Sequence, residues 1–377
     1  MKRSEKIAKK LSTFLATVVP VNKKIMVFES FLGRQYSDNP RAMYEYIKEH
    51  YPEYKCYWSV DVAEQKKFEN KGLNIIKKGT IRWFFTMARA KYWISNSRIP
   101  LWVIKPKKTI YVQTWHGTPL KKLAIDMDDA NIYPSWNRPI PYKKAFSLES
   151  SRWNYLISPN KYSTNIFRRC FDFENEMIES GYPRNDYLIN GNNEENINHI
   201  KKALNIPLDK KIIMYAPTWR DSFTFNLPLS LTNMKKELGD EYYVIFRLHY
   251  LVKHTSELIG HEDFIQNVTS YNDISDLYLI SDVLITDYSS VFFDYAVLKR
   301  PMIFHCFDMD LYKNDLRGFY FDFEKKAPGP IVTTTDELID AVKRVDQQEI
   351  SLEFLDQFAS LEDGKATERV VERILEK

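Results

Sequence analysis

Short apolar runs alternate with segments whose apolar positions fall three and four residues apart, from Lys24 almost to the C-terminus. The runs predict strands, because a strand buried on both faces is apolar throughout. In the first half they lie at Lys24–Phe28, Lys55–Val60, Asn74–Lys77, Tyr92–Ser95, Thr109–Gln113 and Asn154–Ser158. In the second half they lie at Lys211–Tyr215, Tyr242–Arg247, Asp263–Gln266, Val283–Thr286 and Met302–Phe304. Helical spacing predicts helices at Pro40–His50, Ile81–Arg89, Ile274–Ile280, Val291–Leu298 and Asp336–Val345. A last helix follows Thr367, a good N-cap, and runs to Leu375. Strands that alternate with helices imply α/β architecture, with parallel sheets covered on both faces.

The pattern breaks once. Gly181 and Pro183 interrupt it, and an Asn-rich polar stretch follows at Asn190–Asn198. The expected organisation is a basic amphipathic segment over 1–22, one Rossmann-like domain over 23–180, a second over 181–350, and terminal helices over 351–377. Two doubly wound domains of this kind would face a central cleft. Their ligands would sit beyond the carboxyl ends of the strands.

Length and composition fit two globular domains: 377 residues, 44% hydrophobic and 28% charged. The net charge of +4 is unevenly placed. Residues 1–24 carry seven Lys/Arg and one Glu, which leaves 47 basic and 49 acidic groups elsewhere. Ile7, Leu11, Phe14, Leu15 and Val18 share one helical face there, with Lys2, Arg3, Lys6, Lys9 and Lys10 mostly around it. Such a helix can lie on an anionic membrane surface, or it can pack on the body of the protein with its charges in water. The basic excess is too local to favour nucleic acid. No apolar run is long enough to span a bilayer, and no signal-peptide pattern is expected. Cys56, Cys170 and Cys306 are odd in number and far apart, which points to a reducing compartment.

Three constellations carry candidate chemistry. After Thr109–Gln113 comes Thr114-Trp115-His116-Gly117-Thr118-Pro119-Leu120-Lys121-Lys122. Pro119 suits a first helical turn, so a helix is expected there, with His116 at its mouth beside an anion site. His116 is then a general base or, in the plainer reading, a hydrogen-bonded structural histidine. Arg247-Leu248-His249 closes a strand, and alternation puts Arg247 and His249 on one side. They can hold a phosphate, or they can be a polar strand end paired with carboxylates. Asp287, Ser289 and Ser290 precede a helix as caps or as a phosphate cradle, and Asp294 is either a hydroxyl acceptor or a solvated helix charge. Ala216-Pro217-Thr218-Trp219-Arg220 also leaves a strand, and Arg184 sits at the domain junction within reach of a nucleotide. His50, His199, His254, His261 and His305 lack such settings. Neither a Walker loop nor a G-x-G-x-x-G nor a C-x-x-C is present. The sequence requires no cofactor: a divalent ion can screen a pyrophosphate, but no ligand set demands one.

In this order, Gln113 to Lys122, Gly181-Tyr182-Pro183-Arg184-Asn185-Asp186, Tyr215 to Arg220, Arg247-Leu248-His249 and Thr286-Asp287-Tyr288-Ser289-Ser290 resemble the CDP-glycerol glycerophosphotransferase family of teichoic-acid synthesis. The resemblance runs from about Lys24 to the C-terminus. It implies a glycosyltransferase-B-like fold. It implies donor binding by His116, Gly117, Thr118, Pro119, Leu120, Arg184, Pro217, Thr218, Arg247, Leu248, His249, Ser289, Ser290 and Asp294. It implies glycerol-phosphate transfer from CDP-glycerol to a hydroxyl on a lipid-linked saccharide or glycerol-phosphate acceptor, with release of CMP. His116 or His249 would be the base, and the setting a peripheral one on the cytoplasmic face of the membrane. A CDP-ribitol transferase, a nucleotide-sugar glycosyltransferase or epimerase, and a non-catalytic assembly protein of the same fold are the rival readings.

Overall fold

The computed structural model describes residues 3–129, 132, 140–218, 227–248, 258–309 and 318–376. Among them, thirteen strands build two sheets, and every pairing is parallel. The first sheet holds β1 (Asn22–Glu29), β2 (Lys55–Val60), β3 (Ile75–Lys77), β4 (Ala90–Ser95), β5 (Ile110–Gln113), β6 (Tyr155–Ser158) and β7 (Glu176–Glu179). Their order is β3-β2-β1-β4-β5-β6-β7. The second holds β8 (Lys211–Tyr215), β9 (Tyr242–Phe246), β10 (Ile265–Asn267), β11 (Val283–Thr286), β12 (Met302–His305) and β13 (Ile331–Val332), in the order β10-β9-β8-β11-β12-β13. The central strands are buried almost throughout, as a sheet covered on both faces requires.

Both sheets are therefore doubly wound, each with its own reversal of strand order. In the first the chain changes direction of progress between β1 and β4, in the second between β8 and β11. Loops leaving those strands diverge and open a crevice at their carboxyl ends. Register makes the strand ends level. Glu29 pairs with Ser95 and Ser95 with Gln113 in one sheet. Tyr215 pairs with both Ile285 and Phe246 in the other.

Packing divides the chain into two compact units. One takes Met1–His116, Leu123–Asp186 and Leu361–Lys377; the other takes Gly117–Lys122 and Tyr187–Ser360. Met26, Phe28, Trp58, Ile94 and Val112 centre the first core, which Val370, Val371 and Ile374 of the terminal helix Ala366–Leu375 complete. Asp186 anchors that helix: its two carboxylate oxygens accept from the N–H groups of Ala366 (2.8 Å) and Thr367 (2.7 Å). Gly181 is required nearby, since its φ is +82° and a Cβ would meet the Leu361 carbonyl at 2.8 Å. The second core is built on Ile213, Val244, Phe246, Ile285 and Leu338.

Helix α1 (Arg3–Val18) packs on α3 (Ile81–Arg89), and its buried Ser12 accepts a hydrogen bond from Ile104 N–H at 2.8 Å. Ile7, Phe14 and Val18 stay exposed. Helix α2 (Asp38–His50) starts two residues before the expected Pro40. The three cysteines are buried, and none forms a disulfide.

The helix expected at Pro119 does not form. Residues 114–123 are irregular, and a single 3₁₀ turn follows at Ala124–Asp126. The reason lies in the backbone bonds: Leu120 C=O accepts from Tyr320 N–H (2.9 Å), and Lys122 N–H donates to Gly318 C=O (3.2 Å). These groups are committed to a neighbouring segment, so they are not available for a helical ladder. Two edge strands, β7 and β13, were not expected from the pattern.

Candidate active site

In the first unit the loops after β1, β4 and β5 converge on His116. The Asn96 backbone carbonyl accepts from His116 Nδ1 at 2.8 Å. A carbonyl cannot donate, so Nδ1 carries the hydrogen and the neutral ring presents Nε2 as its basic atom. Trp115 stacks on the imidazole at 4.4 Å, and Phe31 lies 5.8 Å away on a tilted plane. The Asn96 side chain in turn accepts from Phe31 N–H at 2.8 Å. The protein packed around the imidazole pulls its pKa below the ordinary value; Asp38 opposes this and Arg184 adds to it. His116 still keeps an exposed surface, so the depression is that of a half-open site.

Behind the ring lies a second layer. Arg184 Nη1 donates to Asp38 Oδ2 (3.0 Å) and to the His116 carbonyl (2.9 Å), and its guanidinium sits 4.8 Å over the Tyr182 ring. Asn39, fully buried, donates to the carbonyls of Thr114 (3.3 Å) and Trp115 (3.2 Å) and accepts from Arg184 N–H (3.1 Å). The sequence reading missed Asp38, Asn39, Asn96 and Phe31. Ser37-Asp38-Asn39-Pro40 looks like an ordinary helix start, and Asn39 lies 75 residues from Thr114 along the chain. Only the adjacency of β1, β4 and β5 brings them together.

In the second unit the loops after β8 and β11 meet at that sheet's own reversal. Asp287 Oδ1 accepts from Thr218 N–H (2.8 Å), and Thr286 Oγ1 donates to the Ala216 carbonyl (2.7 Å). Gly117 lies beside this turn: a Cβ there would stand 3.1 Å from Ser290 Oγ. Thr118 and Leu120 are buried with it, as is Pro119, while Pro217, Ser289 and Ser290 are half-buried. Ser290 precedes the helix Val291–Tyr295 without a side-chain capping bond, and that helix is only five residues long. A short helix gives little dipole, so any anion held here must be held by hydroxyl and loop N–H groups. Asp294 is buried, which removes the reading of a solvated helix charge.

Arg247 is partly committed. Its Nη1 donates to the carbonyls of Val268 (3.0 Å), Thr269 (2.6 Å) and Tyr271 (2.6 Å), and Leu248 N–H donates to Thr269 Oγ1 (3.0 Å). It thus shapes the loop after β10. His249, Trp219 and Arg220 lie outside the described residues, as does the expected partnership of His116 with His249. Among the described residues no group of three or more His, Cys, Asp or Glu is placed to hold a metal ion.

The profile of the CDP-glycerol:poly(glycerophosphate) glycerophosphotransferase family matches residues 11–376. A teichoic acid poly(glycerol phosphate) polymerase of Bacillus subtilis is 53% identical over 96% of this chain, and the chain spans half of that relative's length. A teichoic acid glycerol-phosphate transferase of Staphylococcus aureus is 47% identical over 94% of the chain and 93% of its own length. Among solved structures, a variant of the wall teichoic acid polymerase TagF superposes with a TM-score of 0.90 at 41% identity, covering 98% of this chain and 93% of that one. Another TagF variant was soaked with CDPG. A UDP-GlcNAc 2-epimerase from Methanocaldococcus jannaschii shares the fold alone, with a TM-score of 0.56 at 14% identity, 94% of this chain and 99% of that one covered. The fold is thus the glycosyltransferase-B-like α/β type with two Rossmann-like halves, and the chain belongs to the CDP-glycerol:poly(glycerophosphate) glycerophosphotransferase family.

Proposed function

We propose that this chain transfers glycerol phosphate from CDP-glycerol to a hydroxyl of a lipid-linked teichoic-acid acceptor and releases CMP. Family membership supplies the reaction class. The observation that carries the chemistry is the Nδ1 bond of His116 to Asn96, which leaves Nε2 as the proton acceptor. In this reading Nε2 takes the hydrogen of the acceptor hydroxyl while its oxygen attacks the phosphorus that bears glycerol. The bond to the CMP oxygen breaks, and CMP departs with the bonding pair. A neutral imidazole is the form needed, and a depressed pKa keeps it neutral near pH 7.

The second unit supplies the donor site in this proposal. Gly117, Thr118, Pro119 and Leu120 join Pro217, Thr218, Ser289 and Ser290 as small or hydroxyl-bearing residues around one turn, and Arg247 with Leu248 orders the next loop. Asp294 would hold a hydroxyl of ribose or polyol. His249 remains the alternative base. A ribitol donor is the second reading: a ribitol-phosphate primase of Bacillus spizizenii is also a relative, at 30% identity over 96% of this chain and 93% of its own. Glycerol is favoured by the higher identity of the glycerol-phosphate relatives.

The acceptor and the setting belong to the same proposal. Exposed Ile7, Phe14 and Val18 on α1, with Lys6, Lys9 and Lys10 in its first half, support peripheral docking on the anionic, cytoplasmic face of the membrane. Among the described residues no helix is long and apolar enough to cross a membrane. The test is a panel of CDP-glycerol, CDP-ribitol and UDP-sugars, read as CMP or UDP release with and without a primed lipid. Acceptor-dependent CMP release from CDP-glycerol is expected; release of UDP alone would replace the proposal.

A further inference from the structure

We infer that the Asp38–Arg184 pair, braced by Asn39, is a positioning device that fixes His116 through its backbone carbonyl. The inference rests on the proposed role of His116. It also gives Arg184 a task different from donor binding.

Three observations converge. First, one guanidinium nitrogen, Nη1 of Arg184, bonds both Asp38 Oδ2 and His116 O, at 3.0 and 2.9 Å. The side chains of Arg184 and Asp38 are only 10% and 5% exposed, so the bond geometry is held in a largely water-free setting. Planar guanidinium and fixed carboxylate leave little freedom in where the carbonyl may sit. Second, Asn39 ties the two preceding carbonyls, Thr114 and Trp115, to the same helix start and binds Arg184 N–H as well. Three consecutive carbonyls, those of Thr114, Trp115 and the base itself, are thus fastened to Asn39 and Arg184, with Asp38 holding the guanidinium. Third, the backbone here is strained. Nine non-glycine residues among those described have left-handed φ, and Phe31 (46°), Leu32 (62°), Asp38 (67°) and Trp115 (51°) are four of them. Trp115 and Phe31, bulky residues that flank the imidazole, are ones for which the left-handed region is unfavourable. Such conformations persist where surrounding contacts over-determine them: Asn39 holds the Trp115 carbonyl, Arg184 holds Asp38, and the Asn96 side chain holds Phe31 N–H.

The consequence is kinetic. A base displaced by about 1 Å can lose on the order of 10²-fold in rate. A residue acting only through the base lowers kcat and leaves the KM for CDP-glycerol nearly unchanged, whereas a donor ligand raises KM. Charge gives a second readout, since Asp38 and Arg184 are the charged groups that act on His116 in the described structure. Loss of the Asp38 carboxylate lowers the imidazole pKa and moves the acid limb of kcat/KM to lower pH. Loss of the Arg184 charge moves that limb to higher pH.

The experiment compares the full chain with Asp38→Asn, Arg184→Gln and Arg184→Lys, using CMP release across pH and ¹⁵N-histidine spectra of His116 assigned with His116→Gln. Expected are a kcat lower by about 10²-fold, a nearly constant KM, pKa shifts of opposite sign in Asp38→Asn and Arg184→Gln, and partial recovery in Arg184→Lys. A raised KM with kcat intact in Arg184→Gln would return Arg184 to the donor site and overturn the inference. Unmoved His116 resonances and pKa in a folded variant would overturn it too. If one variant does not fold, the other two still decide. A wild-type protein that releases no CMP would instead remove the functional proposal, and the spectra would go on reporting whether the pair positions the ring.

Discussion

Glu149 is a buried carboxyl at the base of the loop after β4. Its Oε1 accepts from Ile99 N–H (2.9 Å) and Tyr111 OH (3.0 Å), and its Oε2 from Trp153 Nε1–H (2.8 Å). Burial pushes its pKa from 4.5 to about 7, while Arg152 and these donors pull back. A folded pKa above the unfolded one favours the native state while the group is protonated. That stabilisation is full below about pH 4.5, falls as pH rises, and is gone above about 7. A shift of this size corresponds to about 3 kcal/mol. Wild type should therefore lose stability relative to Glu149→Gln between pH 5 and pH 8 in urea unfolding, and an equal difference at both values would refute the assignment. At this same scale the sequence was half legible. His116 stood out because a histidine between an apolar run and a Gly-Thr-Pro turn has few structural reasons to be there. Asp38 and Asn39 did not, because capping uses the same residue types and the contact that distinguishes them is made across three strands.

Elements were legible where burial leaves one solution. β2, β8 and β11 match their apolar runs residue for residue, since a strand covered on both faces has no polar side to blur its limits. β7 and β13 lie at sheet edges and are short, with β7 carrying Glu176 and Glu179, so their pattern is weak. The helix at Pro119 failed for a different reason: Pro fits a first turn locally, but tertiary bonds to Gly318 and Tyr320 took the backbone groups. Helix α1 tests the surface reading. Leu11 and Leu15 are half-buried, but Ile7, Phe14 and Val18 are not consumed by packing. Deleting residues 1–20 should weaken sedimentation with anionic vesicles and reduce turnover on a lipid-linked acceptor, with turnover on a soluble acceptor largely retained. The loss should mimic the effect of raised salt, which screens lysine–lipid attraction. Undiminished vesicle binding after the deletion would remove α1 from the docking surface.

Across the whole molecule, the same strand order is used twice, and each sheet places candidate residues at its own reversal point. The sequence fell short here because parallel runs give strand number without strand order. The proposal assigns different tasks to the two places: proton removal at His116 and donor binding at the Gly117–Ser290 turn. Binding and chemistry should then separate by mutation. A donor that binds only folded protein stabilises it by RT ln(1 + [L]/Kd), about 2.7 kcal/mol at a hundredfold excess over Kd. CDP-glycerol should raise the melting midpoint of wild type, and UDP-sugars should not. His116→Ala should keep that rise while turnover falls by about 10²–10⁴-fold, the usual worth of a general base. Gly117→Val should do the reverse in order of cause, since its Cβ would meet Ser290 Oγ at 3.1 Å and its added methyl groups would fill the turn. In that variant the CDP-glycerol shift should disappear first, and activity should be lost through KM. Equal loss of the thermal shift in both variants would mean that donor binding and proton transfer share one set of residues, and the assignment of tasks would have to be withdrawn.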